Sequence, residues 1–261
     1  MQLSLNGRTC VDESIAILRA HEPAEGYYLA FSGGKDSIVL YRLAEMAGVK
    51  FDAHYNVTTI DPPELVRFIR REYPAVAWDR PPRSFFSEVE VQGLPTRLNR
   101  WCCEHLKEAG GRGRLVAVGV RAEESPARRK RGVLDDCPNV AAKVVLNPIL
   151  RWKHSEVWEF IRAQSLPYCE LYDQGWRRLG CVCCPYGSVA VRQRGLERWP
   201  GIFAAILRAL HRRWPTRPLS WRRWRTPETM FEWWLSDERA PDDRQSRNAA
   251  PIWVTPPMLE E

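Results

Sequence analysis

The 261-residue sequence has no stretch approaching the roughly 18 consecutive apolar residues that a membrane-spanning helix requires, so no membrane partner is expected. Its opening residues, MQLSLNGRTCVDESIAILRA, lack the uninterrupted apolar core of a secretory signal. These two absences predict a cytoplasmic protein. Eight cysteines are few for a secreted disulfide scaffold of this length, and clustered cysteines in a reducing compartment more often serve metal or redox chemistry. None of the eight lies beyond Cys184, and the sequence has no internal repeat.

At 44% hydrophobic residues the chain is able to bury a proper core. Its net charge of +7 is unevenly spread: ten arginines face one acid, Glu197, between Ala190 and Arg225, whereas the rest of the chain to its end carries eight acids and three arginines. A local basic patch of this kind suits a polyanionic partner.

Candidate strands at Tyr27–Phe31, Phe51–Val57, Leu115–Val120 and Val144–Leu150 alternate with helical patterns, which predicts a doubly wound parallel sheet. One helix follows the glycine turn, with Val39, Leu43 and Met46 on one face and Gly48 as its stop. A second begins in the DPPE of Asp61–Glu64 and continues through Leu65, Phe68 and Ile69, while a third follows Ser155 as its cap, burying Val157, Trp158 and Ile161. Residues 1–190 read as a nucleotide-binding α/β domain and 191–261 as a basic, tryptophan- and arginine-rich helical region with a loosely ordered tail after Asp242. In that region Trp199, Ile202, Phe203, Ile206, Leu207, Leu210 and Trp214 recur at helical spacing, and WRRWR at Trp221–Arg225 offers phosphate contacts and stacking faces to a nucleic acid.

The chemistry concentrates in YYLAFSGGKDS, residues 27–37. A strand running into Ser32-Gly33-Gly34-Lys35-Asp36-Ser37 and then a helix gathers backbone N–H groups, a helix N-terminus and an ammonium around one point, and that point favours an anion. This is not a Walker A loop, because Leu29 stands where its first glycine belongs and Asp36 replaces its Ser/Thr.

SGGKDS resembles the pyrophosphate-binding loop of the adenine nucleotide alpha hydrolase superfamily, whose members cleave ATP between the alpha and beta phosphates. Within it the chain is similar to the phosphoadenosine phosphosulfate reductase branch, through RWCCEHLK (100–107), GVRAEES (119–125) with Arg128, NPILRW followed by EVWEFI, and LYDQGWRRLGCVCCP (171–185). The resemblance implies an α/β fold, a doubly wound mostly parallel sheet with a C-terminal helical appendage. It implies that Ser32, Gly33, Gly34, Lys35, Asp36 and Ser37 hold the phosphates of ATP, that Gly119 and Arg121 close the pocket, and that Arg128 reaches an anionic group. Lys35, Asp36, Arg121 and Arg128 are its expected catalytic residues. Asp61 and Glu64, at the end of a second strand, are expected to help bind Mg2+.

Cys102 and Cys103, with Cys181 and Cys184, supply four thiolates from two distant segments, a donor set that zinc and iron–sulfur centres both accept. The adjacent pair is the pattern of the four-iron four-sulfur adenylyl-sulfate reductases and of related DNA-phosphorothioation enzymes, so the resemblance implies a 4Fe-4S cluster in preference to zinc. Cys183 is a rival to Cys184.

A sulfonucleotide reductase also attacks its substrate with a C-terminal cysteine, absent from this chain unless Cys10, Cys137, Cys169 or Cys183 replaces it. The expected function is therefore an ATP pyrophosphatase of the adenylating sulfurtransferase type, acting on a nucleic-acid oxygen in DNA phosphorothioation or RNA thiolation. Its sulfur donor would be a protein such as a cysteine desulfurase, with companion subunits. The alternatives are an APS/PAPS reductase that releases sulfite and, in another class, a noncatalytic nucleotide-dependent nucleic-acid-binding subunit.

Overall fold

The computed structural model describes residues 9–137, 143–236 and 238, and divides the chain into two units. One comprises Met1–Phe85 with Arg100–Cys181, the other Phe86–Asn99 with Val182–Glu261. The division therefore falls before residue 190, and in chain order a segment of the second unit interrupts the first. The expected tail after Asp242 lies outside the described residues.

The first unit is built on a six-stranded sheet. Its strands are β1 (Tyr27–Ala30), β2 (Phe51–Asn56), β3 (Ala77–Asp79), β4 (Val116–Ala117), β5 (Leu134–Asp136) and β6 (Val144–Leu146), in the order β3-β2-β1-β4-β6-β5. All neighbours run parallel except the β5–β6 edge pair. β1 is central, and Tyr27, Tyr28 and Leu29 are buried on both its faces, as a strand covered on two sides demands. Chain order reverses between β1 and β4, and the loops at the carboxyl ends of strands at such a switch point form the crevice where α/β sheets hold ligands.

Helix α1 (Cys10–Ala20) is capped by Thr9, and α2 (Lys35–Ala47) packs between α1 and α6 (His154–Ala163). α2 buries Ile38, Val39, Leu43 and Ala47 and ends at Gly48, whose φ of +67° is the left-handed conformation glycine adopts without strain. α3 (Pro63–Glu72) starts inside the DPPE run, with proline in its first turn, and buries Leu65, Phe68 and Ile69. Ser155 is not the cap of α6. The cap is Lys153, whose N–H donates to Glu156 Oε2 at 2.7 Å, while the His154 N–H donates to Glu123 Oε2 at 2.6 Å, so two carboxylates satisfy the helix start.

β1, β2 and β3 carry a polar network on one face. The Tyr28 hydroxyl donates to Asp79 at 2.7 Å, and His54 lies between Asp79 and Asp52. Arg114 grips Asp52 with two bonds of 2.6 and 2.7 Å, and those bonds draw the Asp52 carboxyl down from 3.8 to about 2. A carboxyl depressed in the folded state contributes stability that is complete above its unfolded pKa and is lost as pH falls through the folded one. Asp52 is half exposed, so Asp52→Asn is expected to cost less than about 1 kcal/mol at neutral pH, with the difference from wild type narrowing between pH 4 and 2 in urea titrations.

The second unit contains most of α4 (Phe85–Gln92), then α7 (Val189–Arg198), α8 (Pro200–Arg213) and α9 (Pro227–Leu235). α8 buries Phe203, Ile206 and Leu210 of the expected face, and leaves Ile202 and Leu207 half-buried. The buried guanidinium of Arg192 donates to the carbonyls of Pro185, Gly187, Leu235 and Ser236 and so ties the stretch before α7 to the end of α9. The Trp234 indole N–H donates to the Pro95 carbonyl at 2.6 Å, tying in the earlier segment. Trp221 and Trp224 are buried, which corrects the expectation that WRRWR presents stacking faces: its rings are core, while Arg222 and Arg225 are exposed. Among the described residues no helix is long and apolar enough to cross a membrane.

Candidate functional site

The strand-to-helix turn after β1 is formed by the expected residues. Gly33 has φ +69°, and a Cβ there would stand 2.6 Å from Ile69 Cγ1, so the turn needs both glycine's freedom and its missing side chain. Gly34 is the cap residue of α2 and, being glycine, brings no side chain to the first-turn N–H groups. The Ser37 hydroxyl donates to the Gly34 carbonyl at 2.8 Å and accepts from the Ser32 N–H at 3.2 Å, which holds the turn closed from within.

Lys35 is 3% exposed, and its ammonium lies 3.1 Å from Asp36 Oδ2. The other Asp36 oxygen accepts from Arg121 Nε at 2.6 Å, and Arg121 also reaches Glu123 at 2.8 Å. Arg121 is thus buried between two carboxylates, whose charge and hydrogen bonds outweigh its desolvation and hold its pKa above the usual arginine value. Gly119 lets this strand-end loop meet the turn: a Cβ there would come within 2.9 Å of the Asp36 backbone carbonyl. Arg128, on the short helix α5 (Pro126–Arg129), pairs with Glu124, which also accepts the Arg121 backbone N–H at 3.0 Å. The structure therefore brings Ser32–Ser37, Gly119 and Arg121 together and places Arg128 one carboxylate away.

Tyr172 is a site residue that reading the sequence by charge and glycine overlooked. Its hydroxyl accepts the Lys35 backbone N–H at 2.9 Å, and the Lys35 ammonium lies 5.8 Å from its ring centroid. The only signal in the sequence was its place in LYDQGWRRLG. His154, at the start of α6, is pushed below the usual histidine value by burial first and then by the positive charge of Lys35 and Arg121.

The Asp61 carboxylate accepts the Tyr55 hydroxyl at 2.5 Å. Among the described residues no three His, Cys, Asp or Glu side chains gather as a metal site. Of the four cysteines expected to hold a 4Fe-4S cluster or zinc, Cys102, Cys103 and Cys181 belong to the first unit and Cys184 to the second. Cys102 and Cys103 stand as a vicinal thiol pair in the first unit. A hydrogen bond from Cys102, followed by Arg100, whose Nη2 stands 3.2 Å from the sulfur, outweighs burial and lowers Cys103 to about 6. Of the spare thiols, Cys10 is raised to about 11 by burial, Cys169 and Cys183 are buried, and Cys137 lies 3.5 Å from Glu108 Oε2.

Comparison with known proteins agrees with this turn. An adenosine 5'-phosphosulfate reductase of Shouchella clausii is 26% identical over 207 residues, covering 72% of this chain and 84% of that protein. An uncharacterized protein of Methanocaldococcus jannaschii, MJ0973, is 30% identical over 184 residues, 67% of this chain and 45% of its own length. The chain thus spans less than half the length of the first curated relatives it matches. The crystal structure of phosphoadenylyl-sulfate reductase from Candida auris aligns with a TM-score of 0.49 at 18% identity, covering 69% of this chain and 97% of that one. The model of the phosphoadenosine phosphosulfate reductase domain matches residues 26–186, more than half of the sequence and the whole of the turn with its closing loop, and the chain belongs to that family.

Proposed function

We propose that the chain is an ATP pyrophosphatase that adenylates a nucleic-acid oxygen so that sulfur can replace it. The observation that carries this reading is the glycine-capped start of α2, where the first-turn backbone N–H groups and the buried Lys35 ammonium converge and no charged side chain caps the amides. The substrate oxygen attacks the alpha phosphorus of ATP, the bond from that phosphorus to the bridging oxygen breaks, and the electron pair leaves on pyrophosphate. Lys35 and the turn amides neutralise the charge that develops there, an electrostatic task that needs no covalent bond to the protein. A sulfur nucleophile from a donor such as a cysteine desulfurase then displaces AMP. The Asp36–Arg121–Glu123 chain fixes the first turn of α2, so that the donors are aimed before the nucleotide arrives.

The nucleic-acid half of the reading is supported by exposed Arg208, Arg222 and Arg225 in the second unit. A second reading, sulfonucleotide reduction, is favoured by the reductase relative, but in this chain it would draw its nucleophile from the thiols described above. The test is to purify the chain anaerobically and follow pyrophosphate release from ATP with duplex DNA, with transfer RNA and alone, beside sulfite release from both sulfonucleotides with a thiol reductant. Pyrophosphate and AMP formed only with nucleic acid are expected. Sulfite without pyrophosphate overturns the proposal in favour of the reductase.

A further inference from the structure

The amide that opens α2 is not empty-handed. In a phosphate turn the first helical N–H groups wait for an anion, yet the Lys35 N–H already donates to the Tyr172 hydroxyl at 2.9 Å. A Cβ built on Gly34 would stand 3.5 Å from that hydroxyl and 3.4 Å from Ser32 Oγ, so the phenol lies directly over the turn. The Tyr172 ring is braced on the side of Trp158, edge-on at 5.0 Å, and Trp158 is in turn met edge-on by Tyr168 at 5.2 Å. Aromatic rings thus brace one side of Tyr172, while the ring itself is carried on a single helical turn, Glu170–Tyr172.

We infer that the Tyr172 hydroxyl occupies the place of a phosphate oxygen on the Lys35 amide, and that the pyrophosphate end of a nucleoside triphosphate displaces it on binding. The inference rests on the nucleotide reading above and adds a resident competitor to it. Burial pushes the Tyr172 phenol well above its usual range, so the competitor is a neutral hydroxyl. A neutral acceptor is weaker than a phosphate oxygen, whose hydrogen bonds are charge-assisted, and the exchange favours the ligand. Until then the phenol satisfies a donor that would otherwise be buried and unpaired. Tyr172 is accordingly a positioning residue that sets affinity, not a catalytic one.

The test uses inorganic pyrophosphate and ATP, titrated calorimetrically into the full chain, its Tyr172→Phe variant and a Tyr168→Phe control. The Tyr168 hydroxyl donates to Asp173 at 3.1 Å rather than sitting on the Lys35 amide. Loss of the competing hydroxyl is expected to tighten both ligands about 2- to 10-fold in Tyr172→Phe, the size of one neutral hydrogen bond, and to leave Tyr168→Phe at the wild-type value. In the wild type itself, adding pyrophosphate is expected to produce a tyrosine difference spectrum as the phenol moves toward water, a readout that survives if the variant does not fold. Unchanged or weaker binding by folded Tyr172→Phe, or no tyrosine signal on saturation of the wild type, overturns the displacement while leaving the nucleotide reading intact. Binding of neither ligand by any of the three proteins overturns both.

Discussion

Replacing Lys35 with alanine is expected to lower nucleic-acid-dependent pyrophosphate release by about 100- to 1000-fold while leaving the melting temperature unchanged or higher. The two halves of that expectation have one cause. Lys35 is the first residue of α2, where the helix dipole presents its positive end, and a buried ammonium there is disfavoured by the helix that carries it. Its pairing with Asp36 offsets this only in part, because Asp36 is already neutralised by Arg121 at 2.6 Å. Such a charge helps an anionic ligand and not the fold, as at other sites where activity and stability pull apart. A variant that retains pyrophosphate release would sink the adenylation mechanism. A variant with weaker nucleotide binding and a wild type that never turns over would instead identify a noncatalytic nucleotide-dependent subunit.

Gly119→Ala is expected to damage both stability and turnover. The added methyl would lie 2.9 Å from both the carbonyl carbon and oxygen of Asp36 and 3.1 Å from the Ser37 nitrogen, all backbone atoms that no rotamer change can move aside. Overpacking of this kind costs about 1–3 kcal/mol, readable as a lower urea midpoint. The only relief is for the loop after β4 to retreat from the turn, and that retreat draws Arg121 off Asp36. Saturating ATP should therefore stabilise Gly119→Ala less than it stabilises the wild type. Equal ligand stabilisation would show that the loop's approach does not shape the nucleotide site.

The parts of the fold that sequence alone made legible are those whose physics is local. SGGKDS states its own geometry, since glycine at a positive φ and a helix that starts on a glycine cap follow from residue types at fixed spacing. α2 is equally plain, with its apolar stripe and its Gly48 stop. β3 and β5 were not anticipated. Each has three residues, and LDD at β5 combines low strand propensity with an edge position, so only its antiparallel pairing with β6 makes it a strand. Tyr172 was hidden because its role depends on a contact across 137 positions, which no periodicity records. The WRRWR tryptophans misled in the opposite direction: aromatics beside arginines suit a nucleic acid and a core alike, and burial alone separates the two.

The second unit is assembled from pieces that the chain makes far apart in time. Phe86–Asn99 leaves the ribosome well before the segment from Val182 onward that completes its packing. The bond from Trp234 to Pro95 closes across 139 positions and that from Arg97 to Pro185 across 88, so their closure entropy falls due only once the later segment has been made. Throughout that interval the early segment is an unfinished surface, open to proteases and to chaperones. A nascent chain halted after Cys181 would thus hold the residues of the sheet and the phosphate turn while Phe86–Asn99 remained without the carbonyls, indoles and guanidinium that later enclose it.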